Sequence, residues 1–208
     1  RSHCDWSSDV CSSDLVQMQI DRSGRVSVFS GASEIGQGCD SMVAYIAAEE
    51  LGVPLEYVRV LRGDTDFTPV DLGAYSSRVT FMLGNAAIDA ASKLREMVQK
   101  AVAGEWEVEA SEVLLAGGMA MWAPDTERQI PIREAFNLAE SRFGTLGATG
   151  WYNTPKDIHG EYRGGTIGAS PAYSFTAHVA EVEVDFETGV VDVEKIWIAH
   201  EDQKTAHV

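Results

Sequence analysis

Val16-Gln-Met-Gln-Ile20 alternates apolar and polar positions, and the alternation resumes from Arg25 to Ser30 across Asp21-Arg-Ser-Gly24, which predicts a β-hairpin. The period then lengthens. Met42, Val43, Ile46 and Ala47 share one helical face, so Cys39 to Leu51 is predicted as a helix that stops at Gly52, with Pro54 preventing its continuation. Val58-Arg-Val-Leu61 reads as a short strand, and Gly63-Asp-Thr-Asp66 as a structural turn. Val79 to Val102 carries a long helical period whose small face (Gly84, Ala86, Ala87, Ala90, Ala91) suits close packing on a neighbour. Two apolar runs flank Gly117-Gly118 and predict a second hairpin, with Met119 and Met121 as core-filling residues. Ile132 to Phe143 is an amphipathic helix entered from Pro131. Trp151, Tyr152, Tyr162 and Gly164-Gly165 fall in a stretch of weak period that reads as a long loop, its aromatics lining a substrate funnel or covering a core edge. Tyr173 to Asp185 alternates strongly, Phe186-Glu-Thr-Gly189 turns, and Val190 to Ile198 returns, which makes a third hairpin. The fold class predicted is α+β: mixed sheets and hairpins packed with helices, as part of a larger domain.

Composition narrows the partners. With 45% apolar and 23% charged residues, the 208-residue chain can bury a core, and its net charge of −16 argues against a nucleic-acid backbone or an anionic membrane as partner. No run approaches the length of a transmembrane helix, and the N-terminus lacks the apolar core of a signal peptide. Residues 1–15 share neither the period nor the composition of the rest of the chain and resemble a translated sequencing adaptor, so the native domain is expected over residues 16–200, with a divergent, chimeric end at 201–208. A zinc reading of Cys4 and Cys11 fails on spacing. Setting that stretch aside leaves Cys39 as the one thiol, which carries no disulfide framework and makes a reducing, cytoplasmic location the expectation. His178, a lone histidine on a strand, is taken as structural.

Two glycine-rich stretches carry the chemistry. Gly31-Ala-Ser-Glu-Ile-Gly-Gln-Gly38 follows a strand pattern and opens a helix, and Gly73-Ala-Tyr-Ser-Ser-Arg78 opens another. Free backbone N–H groups at a helix N-terminus, two hydroxyls and a guanidinium make an anion site in which Arg78 could fork onto a phosphate. Gln37 can donate and accept through its amide, which suits a heterocycle edge, whereas Glu34 would repel an anion unless it points away. The same residues also read as plain helix capping with nothing bound. The order of glycines is neither that of a P-loop nor that of a dinucleotide fold.

Glu34-Ile-Gly-Gln-Gly38 before a helix, then Gly63-Asp-Thr65, then Gly73-Ala-Tyr-Ser-Ser-Arg78, resembles the cofactor-binding domain of the large subunit of molybdenum hydroxylases, the xanthine dehydrogenase and aldehyde oxidase family. The resemblance covers Val16 to about His200, and the run Tyr75 to Met82 with Gly84-Asn-Ala86 is most similar to the 4-hydroxybenzoyl-CoA reductase branch. It implies an oxidoreductase of aromatic, heterocyclic or aldehyde substrates, or of an acyl-CoA in the reductive branch. It also implies a molybdopterin-type molybdenum cofactor in cytosine dinucleotide form, with partner subunits bearing iron-sulfur clusters and FAD. Carried over by position, Gly36, Gln37 and Gly38 would contact the pterin and its phosphate, and Tyr75, Ser76, Ser77 and Arg78 the phosphate or pyrophosphate. The pterin's own dithiolene holds the metal, so no protein ligand cluster is expected. The family's base, a glutamate in a later Gly-x-x-Glu, lies outside these residues, so no catalytic residue is assigned and the fragment alone is expected to be inactive. A non-enzymatic α+β binding module with structural glycine loops is the competing expectation.

Overall fold

The structure, a computed structural model, describes residues 14–71, 73–74, 78–153, 160–162, 165–167 and 175–201. The fold class is α+β, as the hydrophobic pattern predicts. Strands β1 (Asp14–Ile20) and β2 (Val26–Ser30) form the first hairpin, with Met18 opposite Val28. Asp21 closes its turn by accepting the Ser23 and Arg25 N–H groups. Helix α1 (Cys39–Leu51) carries the chain over to β3 (Val58–Arg62), which runs parallel to β2. Gly52 takes the left-handed conformation that ends α1, where its N–H bonds back to Ala48 and Glu49. The second long helix differs at its start: Val79–Leu83 is a π-helical turn, and only from there does α2 (Gly84–Trp106) run as α-helix.

The hairpin at Gly117-Gly118 is present as β4 (Val113–Ala116) and β5 (Met119–Trp122), with both glycines at positive φ (58° and 79°) as a type I′ turn needs. A third strand that the pattern does not reveal, β6 (Asp125–Pro131), pairs with β5, because charged residues on an exposed strand carry no apolar alternation. The methionines exchange roles with their neighbour: Ala120 is fully buried, whereas Met119 and Met121 lie half-buried on the other face. Helix α3 (Ile132–Phe143) has the predicted bounds.

The stretch expected as a long loop contains strands. Leu146–Tyr152 forms β7, antiparallel to β1, and β8 (Gly160–Tyr162) pairs with β9 (Gly165–Ile167). The main sheet therefore has the order β3-β2-β1-β7. Val16, Met18, Ile20, Val26 and Val28 point to one face, where the small face of α2 packs over β1 and β7. Strand β1 also starts earlier than the boundary expected at Val16, since Asp14 and Leu15 already pair with Tyr152 and Trp151. The C-terminal hairpin, β10 (Phe175–Val184) with β11 (Val191–Glu201), is a separate compact unit with a bulge at Glu181/Val182. Its described side chains are exposed on both faces, among them His178, Val179, Trp197 and Ile198.

Candidate functional site

Parallel pairing of β2 with β3 places their C-terminal ends side by side, and the segments that leave those ends are the two glycine-rich stretches. The outside of the carboxyl ends of parallel strands is where open α/β sheets bind ligands. Antiparallel β1 and β7 bring Asp14 and Tyr152 to this same end of the sheet. The segment leading into the second stretch touches the first at Gly31. A Cβ on Gly31 would sit 2.1 Å from the Pro69 carbonyl oxygen and 2.9 Å from Asp71 Cβ, so only a glycine lets the second stretch lie against the first.

In the first stretch the loop is held by its own side chains. Glu34 Oε1 accepts the N–H groups of Gly36 (2.8 Å) and Gly38 (2.9 Å), and Oε2 that of Asp40 (3.2 Å) in the first turn of α1. Gln37 Nε2 donates to the Ser33 carbonyl (2.9 Å) while its Oε1 accepts the Ile35 N–H (2.7 Å). Gly36 and Gly38 have φ of 100° and 79°, and the positions where their Cβ atoms would be are open. The glycine backbone is thus a bare face that a flat group can approach closely, beside an Ile35 side chain that is 71% exposed. Gln37 spends its amide on its own loop, and Glu34 does not point away from the N-terminus of α1 but occupies it.

The N–H groups of Gly38, Asp40 and Gly36 pull the Glu34 carboxyl down from the ordinary 4.5 to about 2. Because the folded value lies below the unfolded one, the cap is fully present above about pH 4.5 and is lost as the pH falls toward 2. A 13C titration of the Glu34 side-chain carboxyl should therefore find its midpoint near 2; a midpoint at 4.5 would mean that the loop is not capped in solution. Cys39 and Asp40 lie close enough to Glu34 to suggest a metal site, all three donor atoms falling within 4.8 Å of one another. The surroundings are those of a capped helix instead. Asp40 receives Arg62 Nε, and burial, followed by the charge of Glu34, pushes the Cys39 thiol up to about 11, so it remains a protonated, buried side chain.

In the second stretch Arg78 is buried against its own chain. It is 3% exposed, and its Nη2 donates to Asp14 Oδ1, its Nη1 to the Gly73 carbonyl (3.1 Å), with Asp71 Oδ1 3.8 Å away. Asp71 in turn accepts the Gly73 N–H (2.6 Å), which closes an Asx turn around a glycine with φ of 108°. The guanidinium ties Asp14 to the backbone at Gly73. Tyr75, Ser76 and Ser77 lie outside the described residues. Phe81 and Tyr152 pack edge to face with ring centres 5.3 Å apart.

Of the residues predicted for the site, Gly36, Gln37 and Gly38 lie on one loop and Arg78 is buried against Asp14 and the Gly73 carbonyl. The structure adds Gly31, Glu34, Asp71 and Asp14. Asp71-x-Gly73 is a legible Asx-turn spacing; Glu34 acting as a cap from four residues before Gly38 matches no common capping signature.

A family model described as the molybdopterin cofactor-binding domain matches residues 5–202. The chain is 32% identical over 180 residues to the probable hypoxanthine oxidase XdhD of Escherichia coli K12, which covers 86% of this chain and 17% of that protein. It is 28% identical over 189 residues to the carbon monoxide dehydrogenase large chain of Afipia carboxidovorans, covering 88% and 22%. Among solved structures, quinoline 2-oxidoreductase from Pseudomonas putida 86 superposes with a TM-score of 0.71 at 26% identity, over 91% of this chain and 23% of that one. The chain spans less than a quarter of the length of these relatives.

Proposed function

Because this chain belongs to the family of molybdopterin cofactor-binding domains, we propose that it is the part of a molybdenum-dependent oxidoreductase subunit that cradles the cofactor at the carboxyl ends of β2 and β3. The observation that carries the proposal is the close approach of Gly31, at the head of the first glycine-rich stretch, to Pro69 and Asp71, on the segment that leads into the second, where Arg78 holds the Gly73 carbonyl. Gly36 and Gly38 would admit the pterin closely. Gln37 would reach it by exchanging one of its loop hydrogen bonds, and Tyr75, Ser76, Ser77 and Arg78 would supply donors to the phosphate or pyrophosphate, Arg78 while holding the Gly73 carbonyl. When bound, the cofactor supplies the two-electron redox chemistry. The described residues orient it and shield its edge from water, and none of them is placed as an acid or base.

The complete enzyme would act on an aromatic, heterocyclic or aldehyde substrate, or on an acyl-CoA if it belongs with the 4-hydroxybenzoyl-CoA reductases. It would carry the cytosine dinucleotide form, pass electrons to iron-sulfur and flavin subunits, and work in the cytoplasm. Relatives named as a large chain, a large subunit and a complex subunit gamma support an assembly of this kind. No helix among the described residues is long and apolar enough to cross a membrane.

The complete subunit, purified with its partners, should contain molybdenum and release CMP on acid hydrolysis. Gly31→Ala, which forces the two segments apart, should lower molybdenum and CMP together, by about tenfold for each 1.4 kcal/mol of misfit, while the far-ultraviolet circular dichroism is retained. A complete subunit that holds neither metal nor nucleotide would instead favour the binding-module reading, in which both loops are only structural.

A further inference from the structure

Strand β7 pairs with β1 on one side, and among the described residues no strand pairs with its other side. A free edge of this kind offers a row of N–H and C=O groups to any strand that meets it. Here side chains of α2 already take up part of that row. Asp89 Oδ2 accepts the Trp151 N–H (3.1 Å), and Lys93 Nζ donates to the Thr149 carbonyl (2.9 Å). The two side chains, one turn apart on α2, also pair with each other at 2.7 Å, and Lys93 Nζ lies 4.0 Å from the centre of the Trp151 ring. We infer that Asp89 and Lys93 form a clip that closes the free edge of β7 and keeps a second copy of the chain from pairing with it.

The clip follows from how low α2 sits on β7. Backbone atoms of Ala86 and Ala90 lie where a Cβ of Gly150 would be, and Asp89 and Lys93 each stand three positions after one of these alanines, on the adjoining stripe of the helix. From there they reach over the edge of the strand. Thr149 and Trp151 are alternate residues of an extended strand, so both turn their backbone groups to the side away from β1. An incoming strand would have to break both hydrogen bonds and move the Lys93 cation off the indole before making bonds of its own. The side chains of Lys93 and Asp89 are 39% and 37% exposed, so their pair adds little to the stability of the core, and its effect is felt at the edge. The occupant it excludes is the same edge of another copy, because two antiparallel β7 strands about a twofold axis offer each other the same alternation of groups. Nothing else in Leu146–Tyr152 would stop that pairing: the strand has no charged residue and no proline, the usual guards of an edge. The inference concerns the sheet alone and holds whether or not a cofactor is bound.

The test compares the full 208-residue chain with the double variant Asp89→Ala/Lys93→Ala and with Glu96→Ala/Lys100→Ala, which removes an exposed ion pair farther along the same helix. Each double variant loses one positive and one negative charge, so the net charge stays at −16 and general repulsion between copies is unchanged. In sedimentation velocity, wild type and Glu96→Ala/Lys100→Ala should behave alike at every concentration. Asp89→Ala/Lys93→Ala should add a dimer that grows with concentration, at least about tenfold tighter than any self-association of wild type, the scale of one hydrogen bond to a charged group. Hydrogen exchange places the contact: at low concentration the Trp151 amide of the clip variant should exchange about tenfold faster than in wild type, and it should slow again as the dimer forms. A folded clip variant that sediments like wild type would overturn the inference, as would an equal dimer in Glu96→Ala/Lys100→Ala. A dimer that leaves the Trp151 amide unprotected would also overturn it, since the copies would then meet elsewhere. If the clip variant does not fold, Lys93→Met, which keeps an apolar stem and frees only the Thr149 carbonyl, serves instead: association above that of wild type supports the clip, and wild-type behaviour refutes it.

Discussion

Arg78→Met should cost roughly 3–5 kcal/mol of stability at pH 7, the range for removing one partner of a buried ion pair. The guanidinium is 3% exposed and Asp14 1%, so the substitution leaves a carboxylate in the sheet interior with its cation gone. Asp14 is already strained in this sense: burial pushes its carboxyl up, the Arg78 charge pulls it down by less, and its Oδ2 has no hydrogen-bond partner among the described residues. With Arg78 absent, the upward push stands alone. A carboxyl whose folded pKa lies above its unfolded one gains stability as the pH falls, because the folded state then binds more protons. The deficit of Arg78→Met should therefore shrink between pH 7 and pH 5 in urea unfolding, and Asp14→Asn in the Arg78→Met background should recover part of it. A loss below about 1 kcal/mol, or one that does not change with pH, would mean that the guanidinium is solvated and does not hold Asp14. The apo-protein effect also separates this support role from direct phosphate binding, which would appear only once cofactor is loaded.

Gly150→Ala should be comparably severe, at about 3 kcal/mol, the upper end of overpacking costs. A Cβ on Gly150 would lie 2.2 Å from the Ala86 carbonyl oxygen, 2.3 Å from the Ala90 nitrogen and 2.9 Å from its Cα. All three are backbone atoms of α2, so no rotamer change relieves the clash; the helix must move off β7. That helix buries Ala86, Ala87, Ala90, Ala91 and Leu94 in the same interface, and a shift loosens them together. Gly147→Ala is the matched control on the same strand. Its Cβ would meet Gln19 Cγ and the Met18 carbonyl at 3.7 Å, an ordinary contact, and the change should stay within about 0.5 kcal/mol, as for surface substitutions. Equal unfolding midpoints for the two variants would show that α2 does not lie on β7 as closely as described.

Gly150 also shows why part of the fold was hidden. Leu-Gly-Ala-Thr-Gly-Trp-Tyr carries no strand signal because glycine and alanine weaken both strand propensity and period. Those small residues are there for α2, and a contact between residue 150 and residue 86 leaves no trace in a window of seven. The π-helical turn at Val79–Leu83 and the charged strand β6 were hidden for related reasons, neither having a local apolar signature.

Elements governed by neighbours in the chain were legible. Gly52 with Pro54 bounded α1, Pro131 opened α3, Gly117-Gly118 set the β4–β5 turn, and the order of the glycine stretches carried the family resemblance. These depend on φ preferences, caps and short-range periodicity, which act within a few residues. The partners of charged side chains depend instead on how strands come together. Arg78 faces Asp14 across 64 positions because β1 runs antiparallel to β2 and starts at the end where β2 stops. Glu34 turns onto α1 because Gly36 and Gly38 at positive φ aim their N–H groups at its carboxylate. Residue types near a site can be read from the chain, but which of them face a ligand and which face one another is set by the packed backbone, since a buried charge takes whichever partner the fold brings within reach.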